Sequence, residues 1–140
     1  MGAWADLLAA VDVAVQTTTD LMPSPIPFSA RNIPETLTGR VFAVDLQTRD
    51  TGKDRGANRI RAAHTLTVEL LHSVPTAGDW RGMQREALDD ELGIIEALLT
   101  QSSFSAYRVQ YLTSRRTPTP TWTHMLTSMT FDLEHTIGVL

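Results

Sequence analysis

The chain has 140 residues, 42% of them hydrophobic, and a formal net charge of −4. That length fits one domain, 1–140, able to bury roughly two-thirds of its unfolded surface without a metal or a disulfide. The absence of cysteine excludes disulfides, thiol catalysis and cysteine metal sites, and the acidic balance argues against a generic polyanion binder.

The first residues lack a basic n-region, and Asp6 and Asp12 interrupt the apolar run, so no signal peptide is expected. Asp6 stands where a myristoylation pattern needs Ser or Thr, and no apolar stretch reaches the length of a bilayer span. A soluble protein made in the cytoplasm is the expectation.

From Ala3 to about Thr18, Trp4, Leu7, Leu8, Val11, Ala14 and Val15 recur at helical spacing and predict an amphipathic helix. Leu21 to Pro34 holds four prolines, which forbid helix and central strand alike. It reads as an extended arm, with Ile26, Phe28 and Ile33 free to tuck into its own domain or into a neighbour's groove. Arg40 to about Thr48 alternates, with Phe42, Val44 and Leu46 on one face, and predicts a half-buried strand. Ile60 to His72 is the second strand, with His64, Leu66, Val68 and Leu70 on one face. The two should form an antiparallel hairpin.

Between them lies a polar loop, 49–61, with Gly52 and Gly56. It carries five of the twelve basic residues: Arg49, Lys53, Arg55, Arg59 and Arg61. It is longer than a tight turn requires, which hints at function. Lys53 is the only lysine, and arginine suits protein interfaces better.

Pro75 to Asp79 is a turn ending on an N-cap candidate, and a second helix follows to about Leu99. Met83, Ala87, Leu88, Ile94, Ile95, Leu98 and Leu99 should form its buried side. Arg81, Arg85, Asp89, Asp90 and Glu96 should face water. After a polar turn at 101–105, Ala106 to about Thr113 is a third strand. Arg115 to Thr121 is a second basic loop, with prolines that block edge pairing. Trp122 to about Thr136 is the last strand. The order is α-β-β-α-β-β, an α+β fold with a mostly antiparallel sheet of about four strands and two helices. Phe42, Leu66, Val68, Leu88, Ile95, Leu98, Phe131 and Leu133 are the expected core.

No catalytic constellation stands out. The four histidines lack the spacing of a helical metal site, and His64 and His72 lie roughly 27 Å apart along an extended strand. There is no GxSxG, Walker or GxGxxG motif. The run Asp89, Asp90, Glu91 points in different directions round a helix and suits a solvated face or a docking site for arginines. The 49–61 arginines are interleaved with Asp50 and Asp54 and have no aromatic to stack a base. Specific nucleic-acid readout is not expected. Assembly through Arg49, Lys53, Arg55, Arg59, Arg61, Arg115 and Arg116 is the preferred reading. No cofactor or metal is expected.

Several patterns together resemble the tail terminator (tail completion) proteins of long-tailed bacteriophages. They are the helix-first order, the proline-bearing link, the strand with Arg40, Phe42 and Val44, the long loop, the amphipathic second helix and a terminal strand with Phe131 and Leu133. The similarity runs from Trp4 to Leu140. It implies a virion protein of the tail or neck rather than an enzyme. Copies would form a homo-oligomeric ring, usually a hexamer, on the last ring of tail-tube protein. The ring would stop tube growth and meet a head-side connector or stopper protein. DNA would pass non-specifically through its channel, with no membrane involved. Another neck component, a head–tail joining or stopper protein, is the alternative. A small α+β enzyme or ligand-binding protein is the alternative of a different class.

Overall fold

Apolar spacing sets the first helix, α1 (Ala3–Thr18), in which Leu7, Val11, Ala14 and Val15 follow three- and four-residue steps and are all buried. The computed structural model describes residues 3–24, 40–50, 59–74, 80–101, 104, 107–119 and 123–138. α1 ends at Thr19, whose hydroxyl donates to the Val15 carbonyl at 2.8 Å and accepts from the Leu21 N–H at 3.1 Å. That local competition with the helix ladder turns the chain towards the sheet.

Five strands follow: β1 (Met22–Pro23), β2 (Val41–Asp50), β3 (Arg59–Ser73), β4 (Arg108–Pro118) and β5 (His124–Gly138). Helix α2 (Trp80–Thr100) separates β3 from β4. The sheet order is β1-β2-β3-β5-β4. β1 is parallel to β2 and every other pair is antiparallel. The protein is therefore α+β, with two helices on a mixed sheet.

The expected four strands become five, and the order becomes α-β-β-β-α-β-β. The added strand lies in the proline-rich arm. Met22 donates to the Arg40 carbonyl at 3.0 Å and Ser24 to the Phe42 carbonyl at 2.7 Å. Pro23 sits between them at the sheet edge, where its missing N–H costs no ladder bond. Ile26, Phe28 and Ile33 of the arm, and the cap candidate Asp79, lie outside the described residues, as does the Trp4 side chain.

Both loop boundaries also shift. β2 and β3 stay paired as far as Asp50 opposite Ala62. Arg49, Arg59 and Arg61 are thus strand residues, and the loop contracts to 51–58, which is outside the described residues. The second basic loop is largely absent: β4 continues through Arg115 and Arg116 to Pro118. Its register against β5 slips between Tyr111 and Thr113, leaving Leu112 as a bulge. Pairing resumes beyond the bulge, and Pro118 is tolerated because β4 is an edge strand.

The helices cover one sheet face. Phe42, Leu66, Val68, Phe131 and Leu133 lie there, fully buried, with Leu98 from α2 against them. Ile95 is only partly buried, and Leu88 is 46% exposed. The buried line of α2 runs through Met83, Ala87, Glu91, Ile94, Ala97 and Leu98. Leu88 is about 100° round from Ala87 and leaves that line. Leu8 and Leu99, also expected inside, are exposed for the same reason. Among the described residues no helix is long and apolar enough to cross a membrane.

The two helices meet at Gly93, where an added Cβ would come 2.7 Å from the Thr18 methyl. Gly93→Ala should be close to neutral in urea melts, because Thr18 is exposed and can rotate while the helix gains propensity. Gly93→Leu should cost about 1–3 kcal/mol through overpacking. Equal stability of the two variants would mean that α1 and α2 do not pack this closely.

Candidate functional site

Arg40, His72, Asp90, Glu91 and Arg116 meet in ion pairs where β2 begins and β3 ends. α2 passes over this end of the sheet and lowers two adjacent carboxylates, Asp90 and Glu91, towards it. Arg40 precedes β2, and its guanidinium donates to Asp90 at 2.5 Å. His72, 1% exposed at the end of β3, meets the same carboxylate oxygen through Nε2 at 2.7 Å. Arg40 also lies 3.8 Å from Asp20, which is 93% exposed and adds little. Glu91, buried, accepts from Arg116 of β4.

The bulge at Leu112 explains why Arg116 makes this contact rather than Arg115. Before the bulge, Val109 and Tyr111 face the helices, opposite Leu133 and Phe131. An unbroken alternation would send Arg115 to the same side. The extra residue reverses the phase, so that Arg116, opposite Thr127, turns under α2 and Arg115 turns outward, exposed.

Burial works against the charged form of Asp90. The hydrogen bonds from His72 and Arg40, with their charges, outweigh it and hold the carboxyl below its ordinary value. Around the cluster several buried polar atoms have no hydrogen-bond partner among the described residues: Nδ1 of His72, Nε of Arg40 and Arg116, and the Thr127 hydroxyl. Among the described residues no hydroxyl is hydrogen-bonded to His72 Nδ1. Within the cluster the acidic and basic groups neutralise one another. Arg40 just before β2, His72 at the end of β3 and Arg116 of β4 are tied to one turn of α2, which fixes helix and sheet in register.

Other candidate chemistry is sparse. His64, buried eight residues before His72 on β3, lies 3.1 Å from the Thr48 hydroxyl through Nδ1 and edge-on to Tyr107. No group of three or more potential metal ligands occurs among the described residues. A shallow depression of about 440 Å³ lies between the end of α1 and β1, and its Thr19 hydroxyl is already spent on the backbone.

The arginines singled out from the sequence fall into two groups. Arg49, Arg59 and Arg61 hold strand positions opposite Ala63, Gly138 and Thr136, while Lys53 and Arg55 lie outside the described residues. Arg115 and Arg116 are at the other end of the sheet. Arg116 shares a row with Phe42, seven residues along β2 from Arg49, or roughly 23 Å. The structure does not bring the two groups together. Sequence reasoning overlooked Arg40 and His72 as a pair and placed Asp90 on the wet side. Its one useful signal was the acidic run read as a dock for arginines, two of which come from this same chain.

No protein-family model matches the chain, and no curated protein is found similar to it. The fold defines only a class: an α+β domain with two helices on one face of a five-stranded mixed sheet.

Proposed function

We propose that this chain is a structural virion protein of the tail-terminator type. Copies form a ring, six in the simplest case, that caps the tail tube of a long-tailed bacteriophage. The ring ends tube polymerisation and offers the tail-side surface to a head-side connector or stopper. DNA passes through the channel without sequence-specific contact. The observation that carries this reading is the β2–β3 hairpin. Its arms stay in register to Asp50 and Ala62, and β3 is backed by β5 as far as Gly138. A hairpin backed in this way suits a role in which this end of the sheet, with Arg49, Arg59 and Arg61 at strand positions, meets a partner. The separation of the two groups of arginines along the sheet, roughly 23 Å, suits contacts on two sides of a ring.

Arg55→Glu combined with Arg59→Glu should leave the subunit folded and weaken docking to the tube. Thermal melts beside a pull-down with tail-tube protein would measure both, and tail lengths in mutant lysates would report the consequence. Unchanged docking and normal tails would overturn the role given to this end of the hairpin. Light scattering separates this reading from a small enzyme or binding protein, for which no discrete ring is expected.

A further inference from the structure

We propose that copies join through the two ends of the sheet, the outer edge of β4 in one copy pairing antiparallel with the outer edge of β2 in the next. The proposal rests on the ring reading and names the contact that would close the ring.

Both edges are open among the described residues. β4 ends the strand order and pairs only with β5. On the other side β1 covers Val41 and Phe42 alone, so the rest of β2 has no outer partner there. Unpaired strand edges are templates for another strand.

Strand direction favours a head-to-tail join. β2, β3, β5 and β4 alternate in direction, so β2 runs opposite to β4. A neighbour rotated about a ring axis in the same orientation sets its β2 beside β4 in the antiparallel sense, and the ladder continues from copy to copy. The contact is heterologous, and the twist of the sheet bends the series towards closure.

Charge selects between this join and a two-fold pairing of β4 with itself. β4 carries Arg108, Arg115 and Arg116 and no carboxylate. Self-pairing would oppose basic strands. β2 carries Asp45, exposed on the face away from the helices, the face to which the Leu112 bulge turns Arg115. The register that sets Arg115 opposite Asp45 lays Leu112–Arg116 along Val44–Thr48. It brings Pro118 to Phe42, where β1 already occupies the edge. β1 therefore ends the new ladder at Thr117 opposite Ala43, and Pro118, which has no N–H to donate, falls just beyond it.

The absence of cysteine makes the test clean. In that register Thr113 faces Gln47, and both are exposed. Oxidation of the Gln47→Cys, Thr113→Cys double variant should give a ladder of covalent oligomers on non-reducing gels, ending at the ring. Circular dichroism would check that the fold is intact. Arg115→Asp should weaken association about tenfold, and adding Asp45→Arg should restore it. A discrete oligomer in light scattering with no ladder would overturn the edge contact while leaving the ring reading intact. A monomer at every concentration, also without a ladder, would overturn both. Efficient dimers from Thr113→Cys alone would show β4 pairing with itself, against the proposal.

Discussion

Leu98→Ala should lower the unfolding free energy by about 2–5 kcal/mol, while Leu88→Ala should cost below about 1 kcal/mol. Leu98 is 1% exposed and packs on the sheet, whereas Leu88, ten residues earlier on the same helix, is 46% exposed. Truncating Leu98 removes buried apolar atoms and leaves a cavity beneath α2 that a sheet stiffened by β3 and β5 cannot collapse to fill. Urea melts of both variants decide the matter, because their ratio depends on the rotation of α2 about its axis. Equal losses, or a larger loss at Leu88, would require the helix to be turned by about a quarter turn.

Asp90→Ala should cost about 3 kcal/mol near neutral pH, because it strands Arg40 and the buried His72 without their shared acceptor. Asp90→Asn tests the charge itself. The folded carboxyl titrates below its ordinary value of 3.8, so its contribution is fully present above about pH 4 and is lost as the pH falls towards the folded value. Wild type and Asp90→Asn should therefore differ at neutral pH and converge in acid. Chemical denaturation at several pH values gives the difference directly. A constant gap across the acid range would mean that the carboxylate contributes by shape, not charge.

Much of this architecture was legible from periodicity. The apolar steps of α1, the alternation from Phe42 to Leu46 and from His64 to Leu70, and the helical pattern from Met83 to Leu98 each concern residues a few positions apart, and local spacing reports them well. What failed was phase and distance. A single residue, Leu112, decides whether Arg115 or Arg116 turns under the helix, and nothing in the composition around it announces a bulge. Met22 and Pro23 form a strand only because the edge of β2 is there to receive them. Leu88 reads as core because leucine is apolar, although α2 already fills its buried side with Ala87 and Glu91. Arg40, His72 and Asp90 meet across separations of 50 and 18 residues, which no local pattern encodes. The carboxylate run was visible, but its partners were set by strand order, and that order could not be read from local spacing.

The place of β5 has a further consequence for how the molecule comes into being. It is late in the chain yet internal to the sheet, paired along its whole length with β3 on one side and from Met125 to Glu134 with β4 on the other. During synthesis the β2–β3 hairpin and both helices emerge first, and none of them has a complete apolar floor until β5 inserts. The hydrophobic face of β3 must wait through the translation of α2 and β4. Nascent chains should thus be a client for holding chaperones, and folding should be a late, concerted event limited by long-range loop closure.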